Sequence, residues 1–163
     1  MKTLFLLRHA KSSWDDPSLR DFDRPLNKRG RKAAPLIGKF MWKRKLRPDL
    51  VLSSPAKRAA QTTALVVDCA EIETEPRYDE RLYGASASGL LEAISRIEDS
   101  ANEVLLVAHN PGMQDMLERL TGEPAQMPTA ALARVTLDVE RWNDVQEASG
   151  HLDWIVRPKE LES

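Results

Sequence analysis

The sequence predicts a three-layer α/β fold with a mainly parallel sheet and an antiparallel component near its C-terminal end. Three observations lead there. Apolar runs of strand length alternate with segments of helical periodicity along most of the chain, the pattern of β-α-β units. Two of these runs, residues 4–7 and 104–108, are continuous, as strands covered on both faces are. Later the period changes: Ala133, Val135, Leu137 and Val139 alternate with Arg134, Thr136 and Asp138, which marks a half-buried strand with antiparallel neighbours.

Taken in order, the first strand covers residues 2–8 and ends abruptly in Arg8-His9. Residues 10–25, rich in Asp, Ser and Pro, form an irregular loop of a length that is often functional. Asn27 caps a helix whose apolar face is Ala33, Leu36, Ile37, Phe40 and Met41. Pro35 inside that pattern predicts a kink or a start nearby. Lys43, Arg44 and Lys45 suit the negative end of the helix dipole and read as a solvated terminus. Leu50-Val51-Leu52 is a second strand, after which Ser54 caps a helix with Pro55 at its first position. Residues 72–75 are expected as a short third strand. Residues 78–87 show little periodicity, and Ser88 is expected to cap a helix bearing Leu90, Leu91, Ile94 and Ile97. The strand at 104–108 ends in His109, and Asn110-Pro111 open a fourth helix with Met113, Met116, Leu117 and Leu120. A turn at Asn143-Asp144 leads to a last strand, residues 152–156, and residues 158–163 are expected to fray.

Composition bounds the answer. A chain of 163 residues, 42% hydrophobic and 30% charged, forms one domain, here residues 1–157 with a short tail at 158–163. Its net charge of -1 gives no global field for nucleic acid or an anionic membrane. The single cysteine, Cys69, excludes an internal disulfide. Arg8 and His9 interrupt the first apolar run too early for a signal peptide, and no run is long enough to span a bilayer, so the expected location is cytoplasmic.

The chemistry lies at the strand ends. In open α/β sheets ligands bind beyond the carboxyl ends of the strands. One such end carries Arg8-His9; another carries Ser53-Ser54, with Arg58 in the following first turn; a third carries His109 before a helix N-terminus. Two guanidiniums, two imidazoles and helix termini around one pocket suit a compact dianion, because the guanidinium fork matches phosphate geometry. A histidine with an unperturbed pKa of about 6.5 is partly neutral near neutrality, and neighbouring arginines push it further that way. Neutral His9 is thus a nucleophile toward phosphorus, and fixed cations stabilise the charge spreading over the equatorial oxygens. The product is a phosphohistidine enzyme that water hydrolyses. No metal or other cofactor is expected, since His9, His109 and His151 lack ligand spacing.

Four motifs strengthen this reading. Leu7-Arg8-His9-Ala10, Arg24-Pro25-Leu26-Asn27 with Gly30, the stretch from Ser53-Ser54-Pro55 through Arg58 to Gln61-Thr62, and Val107-Ala108-His109 resemble, in order, the motifs of the histidine phosphatase (phosphoglycerate mutase-like) superfamily. The short length resembles its SixA-type phosphohistidine phosphatases. That resemblance implies a six-stranded mixed sheet between helices with one antiparallel strand. It implies His9 as the phosphorylated nucleophile, and Arg8, Arg58 and His109 as the phosphate pocket. It also implies a carboxylic proton donor, at Glu80 with Asp79 as runner-up. Ala10 stands where the family usually has glycine, while Lys11 and Asp15 depart from the acidic residue and asparagine of many relatives. Ser12 and Asn110 are further expected substrate contacts, and Trp14 is expected either at the pocket mouth or over the core edge. The expected activity is a metal-independent phosphatase acting on a phosphorylated substrate, in first place a phosphohistidine protein. A broad phosphomonoesterase on small metabolites and a non-catalytic phosphate-binding module remain as alternatives.

Overall fold

The first strand, β1 (Lys2–Arg8), sends successive side chains to opposite faces: Leu4 and Leu6 join one apolar cluster, Phe5 and Leu7 another. It reads as an unbroken hydrophobic run because both faces are covered. The strand β4 (Glu103–Ala108) divides in the same way, with Val104, Leu106 and Ala108 on one side and Leu105 and Val107 on the other. The computed structural model describes residues 1–162. In it β2 (Leu50–Ser53), β3 (Arg77–Tyr78), β5 (Leu132–Leu137) and β6 (Gly150–Val156) complete one six-stranded sheet in the order β3-β2-β4-β1-β5-β6. Neighbours from β3 to β1 are parallel, and β5 alone runs antiparallel to both of its partners. Helices α1 (Lys28–Lys43), α2 (Lys57–Ala70) and α5 (Pro158–Leu161) pack on one face, and α3 (Ala87–Ser95) and α4 (Gly112–Thr121) on the other. This is a three-layer α/β/α sandwich. No helix among the described residues is long and apolar enough to cross a membrane.

Several local expectations shift, each for a stated reason. The Asn27 side-chain oxygen accepts from Gly30 N–H at 2.8 Å, and α1 continues through Pro35. One missing backbone donor does not break a sixteen-residue helix whose apolar face is buried on a sheet. Ser54 does not cap α2; Ala56 holds that position and the helix begins at Lys57. The Ser54 hydroxyl is engaged instead by Ala56 N–H at 3.2 Å and by His109. The third strand is Arg77–Tyr78, not residues 72–75. Glu71 takes a left-handed conformation that closes α2, and Ile72 N–H bonds back to the Val67 carbonyl, so Ile72 ends the helix and enters the core. The α3 cap is Ser86, whose oxygen lies three residues before the Gly89 amide it accepts, while Ser88 sits in the first turn. The fourth helix begins at Gly112, one residue later than expected, and Asn143-Asp144 lie within a 3-10 segment, Trp142–Glu147. Residues 158–161 do not fray: Glu160 accepts from the Arg157 amide at 3.1 Å, and Leu161 packs on the core beneath α1. Ser163 lies outside the described residues.

At the amino end of β1 the buried Lys2 ammonium donates to the Asp99 and Ala101 carbonyls and to Asn102 Oδ1, at 2.7, 3.0 and 3.1 Å. Three acceptors offset the cost of burying that charge. The fixed base leaves the opposite, carboxyl end of the sheet for chemistry.

Candidate active site

Strand order decides which loops meet. β4 lies between β1 and β2, all three parallel, so their carboxyl ends adjoin. Arg8 is in register with Ala108, which sets His9 and His109 side by side with ring centroids 5.0 Å apart. Arg58 reaches the same place from the first turn of α2. Arg8, His9, Arg58, His109, Ser12 and Asn110 all line one pocket of about 250 Å³, and exposed Trp14 stands at its edge.

His9 is oriented by its own backbone neighbour. Its Nδ1 lies 2.8 Å from the Ala10 carbonyl, an acceptor only, so Nδ1 carries the proton and Nε2 keeps its lone pair. Burial pushes the His9 pKa down to about 3; the Ala10 hydrogen bond opposes this, and His109, Arg58 and Arg8 add to it. Burial likewise pulls His109 down to about 4, aided by Arg58 and Arg8 and opposed by Asp21. Both imidazoles are therefore neutral at neutral pH. Ser54 Oγ lies 2.8 Å from His109 Nε2 and also accepts from Ala56 N–H. His109 Nδ1 is buried and unpartnered, as are Arg8 Nε, Arg58 Nε and Asn110 Oδ1. Four of the five such side-chain atoms among the described residues thus belong to one pocket, and unsatisfied buried polar groups concentrate at functional sites.

The supporting contacts explain the motif spacing. Thr62 Oγ1 accepts from Ala10 N–H at 2.9 Å and donates to the Arg58 carbonyl at 2.7 Å, tying the His9 loop to α2. Gln61 Oε1 accepts from Leu26 N–H at 2.8 Å and holds the next loop segment. Gly30 is required by close approach: a Cβ there would overlap the Lys11 carbonyl oxygen. Arg8 Nη1 donates to the Met127 carbonyl at 3.1 Å, which also accepts from Asn110 Nδ2 at 3.0 Å. Ser12 Oγ accepts from Arg24 at 2.8 Å, and the Arg24 guanidinium stacks 3.5 Å from the Trp14 ring centroid.

Sequence reasoning missed Asp21. Its carbonyl and Oδ2 accept from Arg58 at 2.7 and 3.0 Å, its Oδ1 accepts from Arg24, and Tyr83 donates to Oδ2 at 2.7 Å. Burial works to raise the Asp21 carboxyl, but hydrogen bonds from Tyr83, Arg58 and Arg24 outweigh it and hold it at about 2. Tyr83 in turn meets the His109 ring edge-on at 5.7 Å. Nothing in the sequence separates Asp21 from Asp15, Asp16 or Asp23 in the same loop; only the fold does.

Glu80 is not brought to this pocket. It is exposed in the 3-10 turn after β3 and lines a separate depression with Arg77, Arg81 and Arg96. Asp79, the runner-up, caps that turn and pairs with Arg81 at 2.6 Å.

The family model for the histidine phosphatase superfamily (branch 1) matches residues 4–96, the part that carries Arg8, His9 and Arg58. The chain belongs to the histidine phosphatase superfamily. Among superfamily members, phosphohistidine phosphatase SixA of Escherichia coli K12 is 28% identical over 162 residues, covering 97% of this chain and 95% of SixA. An uncharacterised protein of Mycobacterium tuberculosis is 34% identical over 151 residues, 86% of this chain and 92% of its own. A structure of the protein histidine phosphatase SixA complexed with tungstate superposes with a TM-score of 0.85 at 26% identity, covering 98% of this chain and 99% of that one. The fold is that of the superfamily, the likeness is to SixA-type members, and the enzyme is a phosphatase.

Proposed function

We propose that this phosphatase hydrolyses phosphohistidine in a protein, without a metal, through a covalent phosphoryl group on His9. One observation carries the reading: a neutral His9 with Nδ1 bound to Ala10 and Nε2 free stands in a small pocket between two guanidiniums. The Nε2 lone pair attacks phosphorus, the P–N bond of the substrate breaks, and the departing imidazole takes a proton from solvent. Arg8, Arg58 and His109 stabilise the charge on the equatorial oxygens, fixed in place before the reaction. Water then attacks the phosphoryl on His9, releasing inorganic phosphate and restoring the imidazole. Tungstate, a tetrahedral oxyanion like phosphate, accompanies the related SixA structure and supports a phosphoryl site. Ser12 and Asn110 complete the substrate contacts at the mouth. An imidazole leaving group needs a strong acid less than an alkoxide does, which suits a pocket that Glu80 does not line.

The test is incubation with a labelled phosphohistidine protein and with an aryl phosphate, both without added metal, followed by an alkaline quench that preserves phosphohistidine. Label on His9 and release of phosphate from the protein are expected. Full activity in His9→Ala, or turnover of the aryl ester alone, would overturn the assignment.

A further inference from the structure

Beside the phosphate pocket lies a second cleft, of about 570 Å³, and the two share Lys11 and Thr129 in their walls. Arg29 and Lys32 enter it from the start of α1, and Arg157 and Lys159 from the C-terminal turn that forms its far side; Glu162 is its one carboxylate among the described residues. Arg157 is engaged by Glu160 at 3.3 Å. No carboxylate among the described residues pairs with Lys11, Arg29, Lys32 or Lys159. These cations converge from three separate segments, unlike Lys43, Arg44 and Lys45, which are consecutive at the end of α1.

The placing of Arg29 and Lys32 is costly to their own helix. The first turn of α1 carries no acidic residue, and Lys28, Arg29 and Arg31 crowd the positive end of the dipole, with Lys32 one position beyond. Charges of that sign are unfavourable there. Arg31 is accounted for by its 2.8 Å bond to the Leu26 carbonyl, but Arg29 and Lys32 have no side-chain hydrogen-bond or ion-pair partner among the described residues. Like charges gathered beside Lys11, Arg157 and Lys159 repel one another, and an anionic partner relieves that repulsion. Ala33, Pro128 and Pro158 give the cleft an apolar floor against which side-chain stems can lie.

We propose that this basic cleft seats an acidic segment of the phosphorylated protein substrate, next to the histidine whose phosphoryl enters the small pocket. The proposal rests on the phosphohistidine-protein reading, and its recognition element is separate from the chemistry. Complementary charge acts chiefly on encounter and selection, so the cleft governs which protein is dephosphorylated while the His9 pocket governs how.

The test uses two peptides that differ only in whether acidic or neutral residues flank the phosphorylated side chain. Each is made as phosphohistidine and as phosphotyrosine. At low salt the acidic peptide should show kcat/KM about tenfold above the neutral one, and the preference should shrink at high salt. It should vanish in Arg29→Glu/Lys32→Glu and weaken in Arg29→Gln/Lys32→Gln. It should persist in Lys39→Glu/Lys43→Glu, which changes the net charge equally on the same helix. Hydrolysis of 4-nitrophenyl phosphate should be unchanged in all three variants, which also reports intact folding. Equal rates on the two peptides, or a preference that survives Arg29→Glu/Lys32→Glu, would overturn the proposal. So would a loss in that variant confined to a small bisphosphate, which would assign the cleft to a metabolite. If only the phosphotyrosine pair turns over, the phosphohistidine reading fails, yet that pair still decides the cleft: an acidic preference supports it and its absence refutes it.

Discussion

The two buried imidazoles make stability depend on pH in a way that can be worked out beforehand. Unfolded, His9 and His109 titrate at the ordinary value of about 6.5; folded, at about 3 and about 4. Between those limits the unfolded chain binds more protons than the folded one, so stability falls as pH falls. The loss begins near 6.5 and saturates only when the folded imidazoles themselves titrate. On moving from about pH 8 to about pH 5, each residue should cost about 2 kcal/mol and the pair about 4 kcal/mol, a large share of a typical domain's stability. Both side chains are nearly excluded from solvent, 7% exposed in each case, so little of this is lost to screening. The assay is urea unfolding at the two pH values in the wild type, His9→Asn, His109→Asn and the double variant. Each single substitution should remove about half of this drop, and the double variant should remove nearly all of it. Equal pH dependence in wild type and double variant would refute the argument, as would imidazole NMR signals from His9 or His109 moving near pH 6.5.

Three further outcomes follow from particular contacts. Gly30→Ala forces a methyl against the Lys11 carbonyl and should cost about 2 kcal/mol of stability by overpacking, with a fall in kcat as the His9 loop shifts; an unchanged urea midpoint would remove the role given to Gly30. Asp21→Ala takes from Arg58 its carboxylate anchor while leaving the backbone one, and should raise KM for an aryl phosphate severalfold with little change in melting temperature; steady-state kinetics with an unaltered KM would count against Asp21 as the residue that positions Arg58. Glu80→Gln should leave phosphohistidine hydrolysis within about twofold of wild type, since Glu80 does not line the pocket. A large and equal loss on phosphohistidine and ester substrates would show that the carboxylate reaches the reacting group.

Much of the architecture was legible because burial is written into periodicity. The runs in β1 and β4 could be read as doubly covered strands, and the alternation from Ala133 as the turn to an antiparallel edge. Arg8, His9, Arg58 and His109 could be placed together because the strand ends of an α/β sheet share one rim. What resisted reading was set by contacts distant in sequence. A two-residue strand such as β3 carries no period at all, and Ile72 looks like strand until the left-handed Glu71 turns it back onto α2. Ser86 and Ser88 are equivalent on paper; the amide of Gly89 three residues on chooses the first. Asp21 and Tyr83 meet across sixty-two positions, and no local pattern announces it.

The contact at Gly30 also fixes a length. Because the backbone of α1 rests directly on the carbonyl of Lys11, two residues after His9, the helix cannot slide relative to His9. Arg29 and Lys32 ride on that same turn. The backbone separation between His9 and the residues that carry the cations of the neighbouring cleft is therefore held by this contact. For a substrate seated as proposed, the span from phosphoryl group to acidic segment must match a gauge whose zero is His9 and whose stop is a missing methyl group.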